Sequence, residues 1–152
     1  MSLHIYIDAD ACPVREETYK VALRHGIPVT VVANAFLRIP PHALIKRIVV
    51  SDSFDAADDF IAERADENTI AITADILLAD RCLKAGASVV APNGKPFTMD
   101  SIGAAIATRA IMADLRAGAT SENIGGPPPF THRDRSQFLQ TLHEMVVRLK
   151  AP

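Results

Sequence analysis

The chain has 152 residues, a formal net charge of −2 and 49% apolar residues. This length is typical of one domain that buries a sizeable core, and we expect a single domain over residues 1–152. No apolar run approaches the roughly 20 uncharged residues of a membrane-spanning helix. The first residues also lack the pattern of a secretory signal peptide. These features argue against a membrane protein and predict a soluble, cytoplasmic one.

The cysteine and charge content narrows the functional classes further. Cys12 and Cys82 fall in different predicted elements and form no paired motif, which argues against a zinc site or a disulfide framework. The 16 basic and 18 acidic side chains give no strong positive excess of the kind that accompanies nonspecific nucleic-acid binding. A nucleic acid is therefore expected to bind only through a local basic patch.

Short apolar or β-branched runs alternate with helical segments along the chain. We predict strands near residues 3–7, 28–33, 47–50, 69–73 and 88–91. We predict helices near residues 13–25, 55–65, 76–85, 100–117 and 134–149. The segment 118–133 is rich in glycine and proline and is predicted to be an irregular loop or flap. The alternation indicates an α/β fold, a three-layer α/β/α sandwich with a mostly parallel sheet of about five strands and two C-terminal helices.

Aspartates follow two of the predicted strands at the point where each strand ends. Asp8 and Asp10 come directly after the first apolar run, and Asp75 follows the fourth. Open parallel sheets usually bind ligands beyond the carboxyl ends of their strands. If the first and fourth strands are neighbours, Asp8 and Asp75 converge.

The helix after the third strand offers another group of carboxylates. At about 100° per residue, Asp58 lies beside the apolar face of this helix. Asp55 and Asp59 lie nearly opposite that face. Asp58 is therefore the better candidate to point along the edge of the sheet, and Asp59 is more typical of a solvated helix surface.

Several carboxylates at one edge repel one another unless a cation neutralises them. Mg²⁺ or Mn²⁺ suits carboxylate oxygens and can polarise a phosphate while activating water, so the predicted chemistry is phosphodiester hydrolysis. The alternative for Asp10, Asp55 and Asp75 is that each caps the N-terminus of a helix. Cys12 precedes a proline at a helix start, but the nearby Asp8 and Asp10 disfavour a thiolate nucleophile.

Three arginines are candidates to bind phosphate. Arg109 lies within the apolar stripe of the fourth predicted helix, and Arg116 lies near the same face. Arg135 lies at the start of the last helix. The guanidinium groups of Arg109 and Arg116 need an anionic partner, which is either a substrate phosphate or an internal carboxylate. Arg135 is expected either to hold the substrate backbone or to cap the last helix.

The chain resembles the YaiI/YqxD family of uncharacterised bacterial proteins, which is placed among PIN-like domains. The segments that carry the resemblance are Ile5 to Pro13, Asp55 to Ile61, Thr73 to Ala79, and Gly126-Pro127 with Asp134-Arg135. The resemblance implies a PIN-like sandwich with metal-binding carboxylates at one edge. It places these acidic roles on Asp8, on Asp58 or Asp59, and on Asp75, with Asp10 as an additional member.

Three functions remain open from the sequence. The first is a Mg²⁺- or Mn²⁺-dependent ribonuclease in which Asp8, Asp10, Asp58 and Asp75 bind metal and orient water, with RNA favoured over DNA. The second is a haloacid-dehalogenase-like phosphotransferase with Asp8 as the nucleophile and Asp10 as the general acid/base. The third is a nucleic-acid- or protein-binding domain with a degenerate acidic pocket. A homo-oligomer is left open as well.

Overall fold

The computed structural model describes residues 2–10, 12–53, 55–118 and 129–151, apart from the side chains of 116–118. The strands in these ranges are β1 His4–Asp8, β2 Val29–Ala33, β3 Ile45–Val49, β4 Thr69–Ile72, β5 Ser88–Val90 and β6 Pro96–Phe97. The helices are α1 Arg15–His25, α2 Ala56–Arg64, α3 Ile76–Lys84, α4 Met99–Gly118 and α5 His132–Lys150. None of the helices in the described ranges has the length and apolar character needed to cross a membrane.

The strands form one sheet in the order β3-β2-β1-β4-β5-β6. The first five strands are parallel, and β6 pairs antiparallel with β5. The chain therefore builds β2 and β3 on one side of β1 and then crosses to the other side for β4 and β5. The strand order reverses between β1 and β4, which makes their carboxyl ends the topological switch point of the sheet.

Helices cover both faces of the sheet, because side chains alternate between the faces along each strand. Ile5 and Ile7 of β1 pack in the core beneath α1 and α5. Tyr6, between them, packs against the second core beneath α2, α3 and α4. The structure is thus a three-layer α/β/α sandwich, and the predicted fold class is confirmed.

Two details differ from the prediction. The sheet has a sixth strand, β6, because the chain turns back after β5 and pairs Phe97 with Val89. A strand of two residues is too short to show a periodic pattern. Helix α5 begins at His132 because Thr131 caps it and Asp134 completes the capping box at the third helical position. Of the predicted irregular segment, residues 119–128 lie outside the described residues.

The turn between β5 and β6 packs directly on α5 through Gly94. This glycine has a φ of +86°, in the left-handed region. A Cβ at this position would lie 2.6 Å from the carbonyl carbon of Gln137 and 2.7 Å from the backbone nitrogen of Phe138. The close approach of two backbones therefore depends on the absence of a side chain.

We expect Gly94→Ala to lower the free energy of unfolding by more than about 2 kcal/mol, because a left-handed backbone and a steric clash are both penalised. Gly26→Ala is the matched control, since Gly26 has a φ of +68° but nothing within 4 Å of the added Cβ. That variant should lose only about 1 kcal/mol. Urea denaturation measures both losses, and equal losses would show that the contact with α5 contributes nothing.

Candidate functional site

A cavity of about 450 Å³ opens above the carboxyl ends of β1 and β4, where the strand order reverses. Acidic side chains dominate its lining, and two arginines complete its polar wall. The lining consists of Asp8, Asp10, Asp55, Asp58, Ala74, Asp75, Leu77, Leu78, Arg81 and Arg109. We call this cavity the acidic pocket.

Asp8 lies at the centre of the acidic pocket and is positioned by the register of the sheet. Ile7 of β1 is paired with Ile72 of β4, so the next residues, Asp8 and Thr73, lie side by side. The Thr73 hydroxyl donates a hydrogen bond to Asp8 Oδ2 at 2.8 Å, and both side chains are buried. The same hydroxyl oxygen accepts a hydrogen bond from the backbone N–H of Asp75 at 2.9 Å. Thr73 therefore fixes the two aspartates relative to each other.

Thr73 was not among the residues predicted for the site. The available signal was its place two residues before Asp75, on the same side of β4 as Ala71. This signal is weak without knowledge of which strand lies next to β4.

Asp75 lines the acidic pocket and also caps α3. Its Oδ1 accepts hydrogen bonds from the backbone N–H groups of Leu77 and Leu78 at 2.9 and 3.2 Å. Asp10 and Asp55 do not cap helices in this way. The N-cap of α1 is Val14, and Asp55 occupies the N-cap position of α2 without a side-chain hydrogen bond. The predicted helix cap is confirmed for Asp75, which also lines the pocket, whereas Asp10 and Asp55 line the pocket without capping.

Asp58, from the first turn of α2, is electrostatically coupled to the other carboxylates. Burial raises its pKa to about 7, and the charges of Asp75 and Asp8 and a hydrogen bond with Asp75 add to this shift. Burial also raises the pKa of Asp8, despite the opposing hydrogen bond from Thr73. Near neutral pH, Asp58 is thus partly protonated.

Asp59 and Arg135, two other predicted site residues, lie away from the acidic pocket. Asp59 Oδ1 accepts a hydrogen bond from Arg81 at 2.8 Å in an exposed ion pair, and Asp59 is not among the lining residues. Arg135 donates to Glu17 at 2.8 Å and to the carbonyl oxygen of Pro13 at 3.0 Å. The structure shows Arg135 in an internal salt bridge that ties α5 to α1, a role that was not among the alternatives predicted for it.

The other two predicted arginines lie on α4. Arg109 lines the acidic pocket and is exposed. It makes no hydrogen bond or ion pair with the described residues. The side chain of Arg116 lies outside the described part of the chain.

The donor chemistry of the acidic pocket fits a hard divalent cation, because its potential ligands are carboxylate oxygens. Within the described residues, no three histidine, cysteine, aspartate or glutamate side chains already have the mutual arrangement of a metal site. A side-chain hydrogen bond joins Asp58 to Asp75 in this arrangement. Burial raises the pKa of Cys12 and Cys82 to about 11, so both side chains are thiols at neutral pH.

Asp58 should make the stability of the protein depend on pH. Its pKa is about 7 in the folded state, against 3.8 for an ordinary aspartate. The folded state therefore holds this proton more tightly than the unfolded state does. Because of this difference, ionisation of Asp58 lowers the free energy of unfolding as pH rises from about 4 to about 7. Asp58→Asn should gain stability relative to wild type over this interval. The gain should be on the order of 1 kcal/mol, because solvent screens the group.

Urea denaturation at pH 5 and pH 8 measures this gain. Asp114→Asn is the control, because Asp114 is an exposed carboxylate on α4 outside the acidic pocket. The same pH dependence in both variants would contradict the coupling between Asp58 and its neighbours.

Comparison with known proteins places the chain in a bacterial family. A sequence profile described as "Uncharacterized BCR, YaiI/YqxD family" matches residues 6–148. A UPF0178 protein of Sphingopyxis alaskensis is 68% identical over 146 residues, which cover 96% of this chain and 94% of that protein. A UPF0178 protein of Nitrobacter winogradskyi is 56% identical over 149 residues, which cover 98% and 94% of the two chains.

A UPF0178 protein of Rhodopseudomonas palustris is 57% identical over 145 residues, which cover 95% of this chain and 90% of that protein. No solved structure matches the chain. The profile match covers most of the sequence, and the identities to these relatives are high across nearly their full lengths. The chain therefore belongs to the YaiI/YqxD family of uncharacterised bacterial proteins.

Proposed function

We propose that the protein is a Mg²⁺- or Mn²⁺-dependent nuclease that hydrolyses phosphodiester bonds in RNA. The observation that carries the proposal is the convergence of Asp8, Asp58 and Asp75 in one pocket at the switch point of the sheet. Burial and the neighbouring negative charges raise the pKa of Asp8 and of Asp58, and carboxylates crowded in this way form a site suited to a cation. The proposal includes membership of the PIN-like domains, as the resemblance to the family implies.

The carboxylates of Asp8, Asp58 and Asp75 would hold the metal, and Asp10 at the exposed rim would orient the attacking water. A bound divalent ion polarises a phosphate oxygen and lowers the pKa of water. Thr73 keeps the Asp8 carboxylate in place through its 2.8 Å hydrogen bond. Asp58 must release its proton before it can bind a cation, so we expect weaker metal binding below its pKa of about 7.

Arg109 supplies positive charge for the substrate. Its guanidinium lines the acidic pocket and has no carboxylate partner among the described residues, whereas Arg81 is paired with Asp59. A guanidinium binds phosphate oxygens through charge-assisted hydrogen bonds. A dehalogenase-like phosphotransferase is expected to use a lysine downstream of its two aspartates. None of the described residues that line the pocket is a lysine, so the pocket does not favour that function.

We expect Asp8→Asn to weaken Mn²⁺ binding at least 10-fold and to abolish metal-supported cleavage of single-stranded RNA, because the variant removes a negative ligand from the centre of the pocket. Isothermal titration calorimetry measures the first effect and gel analysis of a labelled oligonucleotide the second. Asp114→Asn on α4 is the control and should match wild type in both assays.

Two outcomes would refute the nuclease proposal. If wild type binds no Mn²⁺, the carboxylates do not form a metal site. If Asp8→Asn cleaves RNA as fast as wild type, the cleavage comes from elsewhere or from a contaminant. Binding of a partner that survives Asp8→Asn without any cleavage would instead favour the non-catalytic binding domain.

We expect Arg109→Gln to reduce the cleavage rate by about 10- to 100-fold with little change in Mn²⁺ affinity, because a single charge-assisted contact to phosphate contributes about 1.5–3 kcal/mol. Single-turnover cleavage and calorimetry on the same preparation separate the two effects. Arg133→Gln is the matched control, since Arg133 is exposed at the start of α5 and does not line the pocket. Equal rates for the two variants would exclude Arg109 from substrate binding.

A further inference from the structure

The segment that joins β2 to β3, together with β3 itself, is locally basic. Residues 34–50 contain Arg38, Lys46 and Arg47 and no aspartate or glutamate. This contrasts with the whole chain, whose formal net charge is −2. This segment would therefore attract a polyanion, although the net charge of the whole chain does not indicate a basic surface.

Phe36 stands out within this segment because its side chain is exposed. It is 73% exposed, the highest value among the large apolar side chains of the described ranges. The Arg47 guanidinium lies 4.2 Å from the centre of the Phe36 ring, and it also donates a hydrogen bond to the carbonyl oxygen of Leu37 at 3.0 Å. The ring is thus held from one side by a fixed cation and stays open to solvent.

Arg38 adds a second positive charge two residues further along. It is exposed and makes no ion pair or hydrogen bond with the described residues. Its neighbours Leu37 and Ile39 pack against the core beneath α1 and α5, which anchors the loop on either side of Arg38. The charge is therefore carried by an anchored loop.

This surface begins at the edge of the sheet that holds the acidic pocket. Phe36 lies three residues beyond the end of β2 at Ala33. The end of β2 lies beside Asp8, which is in register with Val32, and Ala9 donates a backbone hydrogen bond to Val32 at 3.0 Å. Neighbouring strands are about 4.8 Å apart, so the loop leaves the sheet one strand away from the acidic pocket.

We propose that Phe36, Arg38 and Arg47 form a stacking platform that binds single-stranded nucleic acid beside the acidic pocket. The proposal rests on the proposed nuclease function and names the form of its substrate. A base stacks on the open face of Phe36, and the arginines neutralise the adjoining phosphates. A single strand is required because bases in a duplex are already stacked on one another and cannot reach the ring.

The test is fluorescence anisotropy with a labelled ten-nucleotide oligouridylate, in EDTA so that cleavage cannot consume the probe. Phe36→Ala should weaken binding by about 5- to 150-fold, which corresponds to the loss of one stacked base. Phe36→Tyr keeps an aromatic ring and should bind within about 3-fold of wild type. Val147→Ala is the matched control, because it shortens another exposed apolar side chain, on α5.

The arginines are tested by the salt dependence of the same binding. Arg38→Gln should reduce the slope of the logarithm of affinity against the logarithm of salt concentration by about 1, because one phosphate contact is lost. A duplex RNA of equal length should bind more weakly than the single strand and should be insensitive to Phe36→Ala. Polyglutamate should not displace the oligonucleotide at equal charge concentration.

The proposal is overturned if Phe36→Ala binds as tightly as Val147→Ala, or if polyglutamate competes as well as RNA. The latter result would point to an acidic protein partner. These failures are distinct from failure of the nuclease function. Cleavage that depends on Asp8, with unchanged binding by Phe36→Ala, refutes only the platform. Binding that depends on Phe36, without cleavage by wild type in Mn²⁺, refutes only the nuclease.

Discussion

The acidic pocket depends on one buried carboxylate, that of Asp8, at the end of a central strand. A carboxylate in such a place is unfavourable unless it is protonated or partnered by hydrogen-bond donors or a cation. The protein supplies one donor from the neighbouring strand, the Thr73 hydroxyl. The burial of Asp8 thus depends on the pairing of β1 with β4, because the register of the two strands brings the Thr73 hydroxyl to the Asp8 carboxylate.

The remaining carboxylates are positioned relative to this pair by elements that the apolar layers hold in place. Asp75 is tied to Thr73 through its backbone and to the first turn of α3 through its side chain. Asp58 extends from α2, whose buried residues Ala57 and Ile61 pack against the sheet. Mutual repulsion among these groups opposes folding, and the stability gained from two hydrophobic cores offsets it. Carboxylates whose ionised form is destabilised by burial and by neighbouring negative charges are typical of functional sites.

The distribution of charge along one edge of the sheet also matters for the proposed function. The acidic pocket repels a phosphate backbone when no cation is present, while residues 34–50, which start beside it, carry Arg38 and Arg47 without any acidic residue. A polyanionic substrate would be attracted to this basic segment first and would meet the carboxylates only where a cation screens them. The small net charge of the chain does not reveal this separation, because the negative charge of the acidic pocket and the positive charge of the basic segment nearly cancel.

Local sequence patterns were sufficient for the secondary structure and for the family. The apolar and β-branched runs and their alternation with helical segments predicted five strands and five helices at nearly their observed positions, because these signals act over a few residues. The two-residue β6 was missed because its pairing with β5 depends on the turn through Gly94 and its contact with α5. The helical period likewise favoured Asp58 over Asp59, and the structure has Asp58 in the pocket.

Contacts between residues distant in sequence decided the rest. Asp8 and Asp75 share a pocket only because β4 lies next to β1. From the sequence, their convergence could be predicted only on the condition that these two strands are neighbours. Arg109 and Arg135 were both candidates to bind phosphate, yet only packing placed Arg109 at the pocket and Arg135 against Glu17. The sequence by itself determined which residues can carry charge or form each face, since propensity and periodicity are local. Only the tertiary structure decided which partners they meet, because strand order and register are set by burial of the whole core.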